Sequence, residues 1–191
     1  MGELVFYQSC MGAGKSLQLL IQAYRLEELN NSVELYKPEF DTRTHTTIKS
    51  RIELERKCKI LKNDEYLSNC FDWERVDFVL IDEAQFLTVE QVRDIASFVD
   101  YEYVSVYCYG LKLNHHGDFF PASRELLLLS DRIETIAKKC KYNPAINANF
   151  HIKKNGDPNA TAEVGGDDMY EAVCRKIWFE NLNDIEEEFP F

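Results

Sequence analysis

Eight residues near the N-terminus, Ser9-Cys10-Met11-Gly12-Ala13-Gly14-Lys15-Ser16, have a spacing suited to holding phosphate. Glycines let a turn present its backbone N–H groups to an anion, and a helix starting at the lysine adds its positive end. Gly14 allows close backbone approach, Lys15 is placed to reach the β- and γ-phosphates, and Ser16 to bind Mg²⁺. Ser9, Met11, Gly12 and Ala13 complete the candidate phosphate loop. Ser9 stands where the GxxxxGK[ST] pattern has its first glycine, a departure that bears on the loop's opening geometry. The plain structural alternative is a helix-capping turn followed by a surface lysine.

A second group is Leu80-Ile81-Asp82-Glu83-Ala84-Gln85-Phe86. An acidic pair at the end of an apolar strand matches the second nucleotide motif of phosphate-loop proteins. Asp82 would support Mg²⁺ together with Ser16, and Glu83 would act as a base or orient a nucleophile. A strand-end acidic turn is the plain alternative. Together the two groups point to an enzyme that hydrolyses a nucleoside triphosphate or transfers its phosphoryl group. They do not identify the acceptor.

The surrounding pattern supplies the scaffold. Glu3 to Gln8 reads as a buried strand leading into the loop, and Leu17 to Leu26 shows helical apolar spacing. Ser32 to Lys37, Asp77 to Asp82 and Tyr103 to Tyr109 read as further strands. Thr88 is placed to cap a helix over Val89 to Val99. This alternation predicts an α/β fold, a mostly parallel sheet of the phosphate-loop, RecA-like kind flanked by helices. After about residue 135 the pattern becomes turn-rich. Residues 1–135 are therefore expected to form the ATP-binding core. Residues 136–191 are expected to form a small lid subdomain, with a loop through Val164-Gly165-Gly166 and a helical stretch from Asp168 to Asn181.

Composition narrows the function classes. The chain has 191 residues, enough for one domain with a small appendage. Its 22 basic against 33 acidic residues give a net charge of −11, which repels a phosphate backbone and speaks against nucleic-acid partners. No apolar run reaches the roughly 18 residues of a membrane span, so no membrane partner is expected. Six scattered cysteines without a CxxC pair, and no signal-peptide pattern, suit reduced thiols in the cytoplasm.

The motifs in order resemble one family. Met11 with Gly14-Lys15-Ser16, Lys37-Pro38-Glu39-Phe40-Asp41-Thr42-Arg43, Ser50-Arg51, Asp82 to Phe86, Tyr109-Gly110-Leu111, Val164-Gly165-Gly166, Tyr170 and Cys174-Arg175 are similar to type II thymidine kinases, the bacteriophage members in particular. The likeness spans roughly residues 3–178. It implies ATP-dependent phosphorylation of the thymidine 5′-hydroxyl for deoxynucleoside salvage and DNA synthesis. ATP and Mg²⁺ would be required, Glu83 would be the catalytic base, and Asp82 with Ser16 would hold the hydrated cation. It further implies a nucleoside pocket of Met11, Phe86, Leu111 and Phe120, with His115 near a site that is often aromatic. Main-chain groups around Val164, Gly165, Gly166 and Tyr170 would clamp the base. A homotetramer and feedback inhibition by thymidine triphosphate follow by the same analogy. Asp41 and Arg43 would form an ion pair or contact phosphate, and Arg51 is open in the same way.

Three departures from that family stand out. Its structural zinc takes four ligands in two pairs. Here only Cys140 and Cys174 remain, with Ile177 where a Cys or His would stand, so zinc is not expected, even counting His151. Two buried cysteines are expected instead, the lid base being held by Tyr142, Ile177 and Trp178. Asn149-Phe150-His151 lacks a family arginine, and Lys112 to Asp118 replaces a more acidic or aromatic run. Two other functions compete: a phosphate-loop ATPase of helicase-like kind, suggested by DEAQ, and a catalytically weak nucleotide-binding regulatory module.

Overall fold

The structure, a computed structural model, describes residues 2–41, 46–70, 75–154 and 169–188, with side chains as far as Leu182. Among the described residues, six parallel strands form one sheet: β1 (Leu4–Ser9), β2 (Val33–Pro38), β5 (Lys59–Leu61), β6 (Phe78–Ile81), β7 (Ser105–Leu111) and β8 (Arg132–Ile136). Their spatial order is β5-β2-β6-β7-β1-β8, with every pairing parallel. The short strands β3 (Thr47–Lys49) and β4 (Glu55–Lys57) make a separate antiparallel pair.

Alternation along β1 shows how the sheet is buried on both sides. Leu4 and Phe6 enter one core with α2 (Val89–Glu102) and α3 (Pro121–Leu129), through Val92, Ile95, Ala122 and Leu126. Val5 faces the opposite core, where α1 (Lys15–Glu28) lays down Leu19, Leu20, Ala23 and Leu26. The strands read as near-continuous apolar runs because both faces are covered. Ligands of such open sheets sit beyond the carboxyl ends of the strands. Those ends carry the phosphate loop after β1 and the Asp82-Glu83 pair after β6.

Local signals explain the boundaries. Thr88 caps α2 as the sequence predicts. The Gln91 N–H donates to the Thr88 hydroxyl at 3.1 Å, and the Thr88 N–H donates to the Gln91 side chain at 2.9 Å. Tyr103, expected within a strand, instead ends α2 in the left-handed region at φ 61°, and β7 runs two residues further, to Leu111. Pro121 at the first turn of α3 suits a missing N–H there.

The C-terminal portion differs from the sequence expectation. Tyr170–Val173 is a strand, β10, paired antiparallel with β9 (Phe150–Lys153), and α4 covers Arg175–Glu188. The predicted helix over Asp168 to Asn181 therefore starts too early. The four residues Tyr170–Val173 pair with β9 and are all buried, and a short apolar run cannot by itself choose between strand and helix. Beneath this pair lies a small core of Cys10, Cys140, Ala148, Ala172, Val173, Cys174 and Trp178. Cys10 belongs to the phosphate loop, so the loop and the small core share a side chain.

Candidate active site

The phosphate loop is built as its residue types require. Gly12 and Gly14 take positive φ of 69° and 84°. A Cβ on Gly14 would meet nothing within 4 Å, so that glycine is needed for its backbone angle, not for space. Ser9 still belongs to β1, in register with Leu111 and Ile136, and does not have positive φ. Its hydroxyl donates to the Cys10 carbonyl at 3.0 Å. The backbone angle at Ser9 thus makes no demand for a glycine at that position. α1 starts at Lys15 with no side-chain cap and no acid in its first turn, so its N-terminal N–H groups are left to an anion. The Lys15 side chain is 6% exposed, and Lys138 Nζ donates to the Met11 carbonyl at 3.3 Å.

The end of β6 faces this loop. Ser16 Oγ donates to Asp82 Oδ2 at 2.7 Å, and the Glu83 N–H donates to Asp82 Oδ1 at 3.0 Å. Glu83 itself is 7% exposed and sits in the left-handed region at φ 51°. A non-glycine residue there is strained by about 1–3 kcal/mol, a cost that clusters at functional sites. Hard oxygens of a hydroxyl and a carboxylate side by side suit Mg²⁺ and its retained waters. A cavity of about 230 Å³ opens beside them, lined in part by Asp41, Ser50 and Arg51. Asp41 is buried and lies 3.6 Å from the buried Lys37 Nζ. Among the described residues Asp41 pairs with Lys37; the expected pairing with Arg43 falls on Thr42 and Arg43, which lie outside the described residues.

The predicted nucleoside residues separate into groups. Phe86 packs against Phe120, ring centroids 5.9 Å apart at 80°, and against Phe40 at 4.7 Å. Leu111 is buried at the end of β7. Tyr170 is buried with His115 at 6.0 Å and His151 at 5.5 Å. Met11 is half-buried on the phosphate loop. Val164, Gly165 and Gly166 lie outside the described residues. His115 sits in a turn fixed by Asn114, whose side chain accepts the Asp118 N–H at 2.9 Å, and by Trp178 Nε1, which donates to the His115 carbonyl at 2.9 Å. Burial, helped by His115 and Lys15, lowers the His151 pKa to about 3, so this imidazole is neutral.

Comparison with known proteins gives the family. The thymidine kinase family model matches residues 2–178. The chain belongs to the thymidine kinase family. It is 37% identical over 188 residues to a thymidine kinase of Streptococcus thermophilus (strain CNRZ 1066), covering 94% of each chain. A thymidine kinase of Photobacterium profundum is 35% identical over 192 residues, covering 95% of this chain and 99% of that one. That of Enterobacteria phage T4 is 33% identical over 187 residues, covering 94% and 97%. Among solved structures, Bacteroides Pif1 bound to ssDNA aligns with TM-score 0.36 and 15% identity, over 66% of this chain and 32% of that one, a likeness too low to bear on function.

Against the zinc-bearing pattern of the thymidine kinase family, Cys140 and Cys174 do come together. The Cys174 N–H donates to Cys140 Sγ at 3.2 Å, and both residues are buried. Among the described residues no third His, Cys, Asp or Glu joins them in a metal-holding group. Ile177 packs on this small core, and Trp178 stacks on Phe150 at 4.7 Å. Tyr142 contributes differently from the packing role expected of it: the residue is 55% exposed and its hydroxyl donates to Glu171 at 2.6 Å, beside Lys141. The Lys141 ammonium and the Tyr142 hydroxyl hold the Glu171 carboxyl below its ordinary pKa. Motif matching names His151 and Gln85 without giving the buried neutral imidazole of the one or the hydrogen bonds of the other. Gln85 lay inside a recognised motif, but its partner Leu111 is distant in sequence.

Proposed function

We propose that the protein transfers the γ-phosphoryl group of ATP to the 5′-hydroxyl of thymidine. The observation that carries this reading is the contact of Ser16, in the phosphate loop, with Asp82, next to the strained Glu83 at the mouth of β6. Backbone N–H groups of the loop and Lys15 hold the phosphates and neutralise charge that builds on them. Ser16 and Asp82 would hold Mg²⁺, which when bound supplies further positive charge to the phosphate oxygens. Glu83 accepts the 5′-hydroxyl proton as that oxygen forms its bond to the γ-phosphorus and the bond to ADP breaks. A loose phosphoryl transition state asks mainly for such positioning. Met11, Phe86, Leu111 and Phe120 surround the base, and the family resemblance assigns its clamping to main-chain groups around Tyr170 and around Val164, Gly165 and Gly166, the last three outside the described residues.

The family reading adds a homotetramer, feedback inhibition by thymidine triphosphate and a cytoplasmic location; no described helix is long and apolar enough to cross a membrane. The departure from the family's zinc pattern assigns Cys140 and Cys174 to packing without zinc, and one zinc per chain in protein purified without chelator would overturn that assignment. The central test is product formation from ATP-Mg²⁺ with thymidine and deoxyuridine. Thymidine monophosphate with matching ADP supports the reading. ADP release independent of nucleoside would replace it with an ATPase, and ATP binding without product with a weak binding module. Glu83→Gln is expected to reduce turnover about 100-fold or more while ATP affinity is kept; near-normal turnover would remove Glu83 as the base.

A further inference from the structure

Gln85 lies two residues beyond Glu83 and is 3% exposed. Its amide makes two hydrogen bonds in opposite senses. Nε2 donates to Glu83 Oε2 at 2.6 Å, and Oε1 accepts the Leu111 N–H at 3.0 Å. These partners fix the amide's orientation. A backbone N–H only donates and a carboxylate only accepts. Turning the amide over would set donor against donor and acceptor against acceptor in a buried place, where unmade hydrogen bonds are costly.

The support extends behind Gln85. Leu111 is held from its other side, since Ser123 Oγ donates to the Leu111 carbonyl at 2.6 Å. Gly110 leaves the space that the amide occupies: a Cβ there would stand 3.1 Å from both Gln85 N and Gln85 Oε1. A continuous set of bonds therefore runs from α3, through the end of β7 and Gln85, to the Glu83 carboxylate. It ends on the residue whose backbone is in the left-handed region.

The geometry points to Gln85 as a positioning residue that fixes the Glu83 carboxylate for proton acceptance. By holding Oε2 it fixes the orientation of the carboxylate to which the functional reading gives the proton. A base held by a third group is the general form of such assemblies. Because Leu111 also walls the nucleoside pocket, the same amide ties the base to the pocket that receives the acceptor. This inference rests on the assignment of Glu83 as base.

The test is a comparison of four proteins with ATP-Mg²⁺ and thymidine: wild type, Gln85→Met, Glu83→Gln and the double variant. Gln85→Met keeps the volume and removes both bonds. Its kcat is expected to fall about 10- to 100-fold, within the range that general-base catalysis supplies, with the KM for ATP changed less than about twofold. In the Glu83→Gln background the same substitution is expected to change residual turnover less than about twofold, because groups acting as one unit are not additive. Melting curves of every variant separate a folding failure from a catalytic one, and Gln85→Glu sets a second carboxyl against Glu83. It keeps the shape and the acceptor for Leu111 but replaces the donor to Glu83, and its kcat is expected to fall at least as far. Wild-type kcat in either Gln85 variant overturns the inference, as does an equal loss from Gln85→Met in both backgrounds. A wild type that makes no thymidine monophosphate, or a Glu83→Gln variant with full turnover, overturns the functional reading itself, a separate outcome.

Discussion

At the scale of single residues, the site is made by a few groups whose neighbours leave them little freedom. Lys15 is held at the start of α1, beside the loop, so Lys15→Ala is expected to weaken ATP binding and slow turnover together. Isothermal titration and steady-state kinetics on one preparation would check it, and unchanged ATP affinity would count against the role. Gly110→Ala places a methyl group against the Gln85 backbone and amide. It is expected to lower kcat several-fold and to cost about 1–3 kcal/mol of stability by overpacking, measured by assay and denaturant melts. Residues with local signals were legible in the sequence: the loop glycines, Lys15, Ser16, Asp82 and Glu83 follow from spacing after a strand. Gln85 and the Lys37–Asp41 pair were not, at least in their roles. Gln85 is defined by Leu111, whose place is set by sheet registration, and the Lys37–Asp41 contact joins the end of β2 to the residues just after it.

At the scale of elements, the strong periodic segments were legible and the short ones were not. β1, α1, β2, β6 and α2 declare themselves by apolar runs, helical spacing and a capping residue. Tyr170–Val173 reads equally as a helical turn until β9 is alongside it. α3 and β8 carry a proline at the first turn and a five-residue strand, signals that were available. Thr88→Ala removes one arm of the α2 capping box and is expected to cost about 1 kcal/mol, read as a shift in the urea midpoint with unchanged kcat. Trp178 on α4 carries the 114–118 turn through its indole N–H and stacks on Phe150. Trp178→Ala is expected to cost about 3–5 kcal/mol and to raise the KM for thymidine more than that for ATP, because His115 loses its support. An equal rise for both substrates would separate that turn from the nucleoside site.

At the scale of the whole molecule, acid sensitivity follows from a neutral buried histidine. Above pH 6.5, the ordinary value, His151 is unprotonated in folded and unfolded chains alike, and its contribution to stability is fully present. As pH falls from 6.5 toward about 3, the unfolded chain takes up a proton that the folded chain refuses. Stability then declines by at most about 1.4 kcal/mol per pH unit from this group. Glu171, held below its ordinary value of 4.5, adds its own loss only at lower pH. Melting temperatures at pH 7 and pH 5 should therefore differ more in wild type than in His151→Gln; an identical difference would assign the acid sensitivity elsewhere. The sharing of Cys10 between the phosphate loop and the small core has a different use. The residue is 4% exposed, and burial pushes its thiol pKa up against the pull of Lys15 and Lys138. An alkylating reagent is expected to reach that sulfur when the loop and the small core part. The rate at which the Cys10 peptide is tagged is thus a built-in clock for that separation, and saturating ATP should make the clock run slower.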